Sequence, residues 1–195
     1  MGVKRAQPEN AAQRAASEKR LEFEQLLADL SARFVGIHPE RVDEEVRRAL
    51  HEMLGFFRID RCALLKLLPD RTSWIITHNA EVAGDSSYPV EITLPVALVP
   101  WMYHRMAVER EFYAFASLED FPPEATVDVQ TIASWNIQSG LYIPVAVLKS
   151  TEYTFGISSA TENRICPPEY IPRLRLLGEL LVNALERAQG ELALR

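Results

Sequence analysis

Tyr170-Ile171-Pro172-Arg173-Leu174-Arg175-Leu176-Leu177-Gly178-Glu179-Leu180-Leu181-Val182-Asn183-Ala184-Leu185-Glu186-Arg187-Ala188 is the stretch from which the architecture is read. Apolar residues recur at steps of four and three, at Tyr170, Leu174, Leu177, Leu181, Ala184 and Ala188. That spacing is one face of an α-helix. Ile171, Leu176, Leu180 and Val182 fall outside the stripe, so the first half is apolar almost all round. After Val182 only the stripe survives, carried on by Leu185 and Leu192, while Glu186, Arg187, Gln189 and Glu191 fill the other sides. A helix apolar on several sides and then on one belongs first to a core and then to a seam with one more helix. Such a helix can pass a state from a domain to whatever lies beyond it, which points to signalling rather than catalysis.

Length supports an overhang. A helix over residues 169–193 runs about 38 Å, whereas a strand of ordinary length spans roughly 17–23 Å. A sheet face cannot cover the whole helix, so one end projects. At the other end of the chain, Phe23, Leu26, Leu27, Leu30 and Phe34 form a narrow stripe that starts after Ser17, a capping residue, and stops at Gly36. Residues 1–16 lack large apolar side chains and read as a flexible tail or a frayed helix start. Pro39 opens a second helix with Val42, Val46, Ala49, Leu50, Met53, Leu54 and Phe57 on one side.

Between these helices the pattern changes to strands. Arg61–Leu68 reads as a buried strand, Pro69-Asp70-Arg71 as a turn, and Thr72–Ala80 as an alternating strand with Trp74, Ile76 and His78 on one face. Residues 81–92 read as a loop. A short helix is expected at Trp101–Val108, a strand at Glu111–Leu118, and a helix from Pro122 to about Ser134. Leu141–Leu148 and Tyr153–Ala160 read as a hairpin around Lys149-Ser150-Thr151-Glu152. Strands and helices do not alternate strictly, which disfavours a doubly wound parallel sheet. The expectation is an α+β fold: an antiparallel sheet of about five to six strands, with terminal helices on one face and short helices and loops on the other.

Composition narrows the function. The 195 residues carry a net charge of −6 with no basic block, which argues against nucleic acid or an anionic membrane as partner. Cys62 and Cys166 are too few for a disulfide framework. The longest apolar run, Ile92 to Met102, is about half a membrane span and contains prolines. The start has no signal-peptide core, so a cytoplasmic protein is expected.

Catalytic motifs are thin. There is no Gly-rich phosphate loop, no G-x-S-x-G elbow and no H-E-x-x-H. His38, His51, His78 and His104 are scattered, none at metal-ligand spacing with a cysteine, so no metal site, cofactor or catalytic residue is assigned. Cys62 reads as a small buried residue, and Cys166, beside two prolines, as a loop residue open to solvent. Aromatics concentrate in the middle of the chain. Most belong to packing, but Trp74, His78, Trp101, Tyr113, Phe115, Trp135 and Tyr142 are candidates to line a ligand pocket between the sheet and the middle helices.

Five stretches carry a family resemblance: Leu21–Phe34, Ile59-Asp60-Arg61-Cys62, Leu118–Ala125, Ile137–Val145 and, most specifically, Arg173–Arg187. Over about residues 18–195 the chain resembles a bacterial GAF sensor domain, of the PAS-related kind found ahead of histidine kinases, diguanylate cyclases and sigma-54-dependent activators. The resemblance implies a pocket on one sheet face and, on the other, first and last helices that pair in a parallel dimer bundle. It names no effector. The cyclic-nucleotide signature is absent, as is the bilin-attaching cysteine–histidine pair, since Tyr103 precedes His104. The three-cysteine pattern of the free methionine sulfoxide reductases is also missing. The hairpin departs from relatives in keeping only Gly156, and Cys166 stands where relatives tend to have tryptophan.

The resulting expectation is a non-enzymatic sensory module in two-component-type signalling, a homodimer, formed by residues 17–195 with 17–35 and 169–195 as flanking helices. A small molecule would bias the packing of Phe23, Leu27, Leu30 and Phe34 against Leu177, Leu181, Ala184 and Ala188. With no output domain after Arg195, the chain is expected to be a fragment or to act on a partner kinase, cyclase or activator. The alternatives are a ligand-free dimerisation module, a thiol-based redox sensor or reductase, and a PAS-like sensor with another strand order.

Overall fold

In the computed structural model, residues 8–82, 93–147, 151–164 and 166–194 are described, with backbone only for 8–12, 147 and 151. The expected loop tip over 83–92 and the hairpin turn at 148–150 lie outside the described residues. The chain divides into two compact units, Met1–Gly36 and Ile37–Arg195.

The first unit is the helix α1, Pro8–Phe34, which begins well before Ser17. Ala, Gln, Arg and Glu are strong helix formers, so the stretch before Ser17 needs no apolar stripe to be helical. Gly36, at φ 68°, supplies the left-handed residue that ends it.

The second unit opens with a 3₁₀ turn at Pro39–Arg41 that leads into α2, Val42–Phe57. Six strands follow: β1 Arg61–Leu67, β2 Ser73–Glu81, β3 Thr93–Pro95, β4 Tyr113–Phe115, β5 Ser139–Val147 and β6 Thr151–Ser159. They form one antiparallel sheet in the order β3-β2-β1-β6-β5-β4. Between β3 and β4 lie a short α3, Pro100–Tyr103, and a π-helix, His104–Glu109. α4, Thr126–Ser134, precedes β5, and α5, Ile171–Ala193, closes the chain.

α2 and α5 cover one face of the sheet and α3, the π-helix and α4 the other. Strand alternation sorts the side chains. On β1, Ala63, Leu65 and Leu67 join the core under α3 and α4, while Lys66 reaches Glu186 of α5. α5 approaches the sheet closely at Gly178, where an added Cβ would lie 2.7 Å from Val145 Cγ2 and 3.4 Å from Phe155 Cβ. Its last residues, Gln189–Leu194, are all exposed, so the end of the helix is uncovered. Leu177, Leu181, Ala184 and Ala188, expected to form an inter-chain seam, are buried in the single chain.

Candidate functional site

The face opposite α5 carries a partly open apolar cavity. Its floor is Leu65 of β1, Trp74 of β2, Tyr142 of β5 and Thr154 of β6. Its walls and roof are Leu94, Val99, Met102, Tyr103, Met106, Ile132 and Trp135. The space open to the centre of a water-sized sphere is ≈ 50 Å³. A single water needs roughly 10–15 Å³ on that measure, so the cavity has room for a few waters.

Two glycines let rings lie flat on this face of the sheet. A Cβ at Gly156 would stand 2.9 Å from the Tyr142 ring, and one at Gly140 would stand 3.2 Å from the Phe115 ring. Gly156 is therefore the position that allows Tyr142 to cross the sheet surface. Burial pushes the Tyr142 phenol up to about 12, so it is neutral at any physiological pH.

The roof is held by polar contacts at its rim. Asp128 of α4 is fully buried, and its carboxylate accepts from the backbone N–H of Trp101 at 3.1 Å and of Met102 at 2.8 Å. Burial pushes that carboxyl up, and the two backbone donors pull it back. Arg61 donates from Nη1 to the carbonyl oxygens of Trp135 at 2.9 Å and Asn136 at 3.4 Å, fixing the end of α4. Arg71, at φ 59° in the β1–β2 turn, reaches over the π-helix. It donates to the Tyr103 hydroxyl at 3.1 Å, the Ala107 carbonyl at 3.0 Å and Glu152 at 3.2 Å.

Of the expected pocket residues, Trp74, Trp135 and Tyr142 line this cavity. Trp101, Tyr113 and Phe115 do not. They pack with Phe121 in a ring cluster beside it, with centroids 4.7 Å apart for Trp101–Tyr113, 5.0 Å for Tyr113–Phe121 and 4.8 Å for Phe115–Phe121. Aromatic rings gain from meeting edges and faces of one another, and here that preference fills the core.

His78 is on the wrong side of the sheet. The β1–β2 register shifts between Leu64 and Leu65, pairing Leu64 with His78 but Leu65 with Ile76. Thr77 is the extra residue, so the alternation that begins at Trp74 reverses at His78. Its Nε2 lies 3.1 Å from Asp43 Oδ1 of α2. Burial pushes its pKa down and the Asp43 hydrogen bond offsets this in part.

Both cysteines are buried and neither forms a disulfide, including Cys166, expected to be open to solvent. Burial pushes the Cys62 thiol up, which keeps it protonated and poorly nucleophilic. Among the described residues, no cluster of three or more His, Cys, Asp or Glu could hold a metal, and no helix is long and apolar enough to cross a membrane.

Sequence reading passed over the lining residues Met102, Met106 and Thr154. The methionines look like any core residue. Thr154 did carry a signal, as a hydroxyl at an alternate position within Tyr153–Ile157.

No protein-family model and no curated protein matches the sequence. Solved structures match the fold. The phycoerythrobilin-bound GAF domain of a cyanobacterial phytochrome aligns with a TM-score of 0.70 at 13% identity, over 86% of this chain and 96% of that one. A methyl-accepting chemotaxis protein, residues 122 to 287, aligns with a TM-score of 0.61 at 18% identity, over 85% and 98%. The free methionine-R-sulfoxide reductase of Neisseria meningitidis, in complex with its substrate, aligns with a TM-score of 0.64 at 9% identity, over 87% and 91%. The chain therefore has the GAF fold.

Proposed function

We propose that this chain is a sensory, non-enzymatic GAF domain: a small molecule occupies the cavity under α3 and α4, and its presence changes how α5 packs on the far side of the sheet. One observation carries the reading. Tyr153 and Thr154 are neighbours on β6, and they face opposite ways. Thr154 lines the cavity, and the Tyr153 hydroxyl donates to Glu186 of α5. A shift of β6 on occupancy is felt directly by the last helix.

A ligand changes α5 only if it favours one packing over another. Two copies would associate through their flanking helices and act in the cytoplasm on a kinase, cyclase or activator domain. Because the seam residues of α5 are buried in one chain, dimerisation would be coupled to rearrangement of that face. Sedimentation at micromolar concentration, with and without a bound small molecule, tests this. A monomer under both conditions sinks the dimer.

The modest size of the cavity favours a second reading, a ligand-free scaffold. Native mass spectrometry of protein purified from cells separates the two, since a scaffold carries no retained molecule. A linear tetrapyrrole such as that of the similar phytochrome structure is far larger than ≈ 50 Å³, so a much smaller ligand fits the reading. The buried thiols weigh against sulfur chemistry.

A further inference from the structure

We infer that the ligand is an uncharged, compact molecule with an apolar body and a single hydrogen-bonding group, and that Thr154 Oγ1 selects it. The inference rests on the sensory reading above and names the chemistry of its ligand.

Thr154 is 3% exposed, and its Oγ1 has no hydrogen-bond partner among the described residues. The register puts the side chain on the cavity floor, opposite Leu65 on one side and Pro144 on the other. A buried hydroxyl without a partner carries the full cost of its desolvation, so something is gained by satisfying it. Water is a poor candidate. It needs two to four polar partners, and the exposed lining surface is almost entirely apolar, with the Tyr103 hydroxyl oxygen accepting from Arg71 Nε at 3.1 Å. A charged ligand is worse, because among the described residues no charged side chain lines the cavity and an unpaired buried charge is prohibitively costly. An apolar body with one donor or acceptor answers both demands.

Size sets the other limit. The open space is about a third of that in an engineered cavity known to take benzene. A ligand of a few heavy atoms enters directly. A somewhat larger one requires the roof to yield, and Met102 and Met106, unbranched and flexible, are the residues suited to that.

The test uses the full chain and 1-butanol, followed through the methionine methyl resonances. Met102 and Met106 should shift saturably, while Met53, on the α2 side, should not. Thr154→Val keeps the shape and removes the hydroxyl. It should weaken 1-butanol about two- to tenfold, the range for one net hydrogen bond, and leave xenon binding unchanged. Butyrate should give no saturable shift. Equal 1-butanol affinity in the wild type and the variant, saturable binding of butyrate, or no saturable binding of 1-butanol overturns the inference. Xenon binding combined with equal alcohol affinities removes the role of Thr154 but leaves the cavity as a sensory site. Selective 1-butanol binding without any response of α5 supports the ligand class and removes the sensory reading.

Discussion

The Tyr153 hydroxyl donates to Glu186 Oε1 at 2.6 Å, and Lys66 Nζ donates to the same oxygen at 2.9 Å. Two central strands thereby hold one carboxylate of the last helix. Burial pushes the Glu186 carboxyl up, but the Tyr153 hydroxyl and the Lys66 ammonium outweigh it, and the net shift is downward. Tyr153→Phe should cost about 1.5–3 kcal/mol, the range for a hydrogen bond to a charged group, read from urea melts at neutral pH.

The same carboxylate gives an acid limb. Its folded pKa is depressed, so its contribution is fully present above the ordinary glutamate value of about 4.3 and is lost as pH falls through the lower folded value. Between about pH 5 and pH 3, wild type should therefore lose more stability than Glu186→Gln. Parallel slopes in the two proteins would show that the triad does not titrate as described.

His78 predicts a second, milder limb. Burial holds its pKa below the usual histidine value, so the folded state takes up a proton less readily than the unfolded chain. Stability should be intact above about pH 6.5 and should decline as pH falls below it. His78→Leu should remove the difference in melting temperature between pH 7.5 and a mildly acidic buffer.

Gly178 and Gly190 sit on the same helix and should respond oppositely to alanine. At Gly190 nothing lies within 4 Å of an added Cβ, so Gly190→Ala should stabilise by about 0.5–1 kcal/mol through helix propensity. At Gly178 the new methyl meets Val145, a buried and stiff side chain. Overpacking of about 1–3 kcal/mol should exceed the propensity gain there.

Arg71 bridges the Tyr103 hydroxyl, the Ala107 carbonyl and Glu152. Arg71→Ala should leave the sheet intact but loosen the roof. Hydrogen exchange should accelerate in residues 100–109 and not in β1 or β6. Uniform acceleration would assign Arg71 to global stability instead.

Much of this was legible in the chain. The period from Tyr170 onward located α5, and the strand stretches and their turn residues yielded every strand but the three-residue edge strand β3. What failed were features that local pattern does not encode. Period-two alternation predicts that His78 shares a face with Trp74, and the bulge at Thr77 reverses it. The aromatic count suggested a pocket lining, but Trp101, Tyr113 and Phe115 satisfy one another around Phe121. Arg71 read as a turn residue because its partners lie 32 to 81 positions away. The unpartnered hydroxyl of Thr154 exists only once the sheet and roof have closed over it.

Occupancy of the cavity should be felt in α5, and amide exchange reads that directly. With 1-butanol saturating the Met102 and Met106 resonances, amides over residues 179–193 should change their protection together with those of β6. Unchanged exchange over 179–193 in protein whose cavity is full would contradict the account.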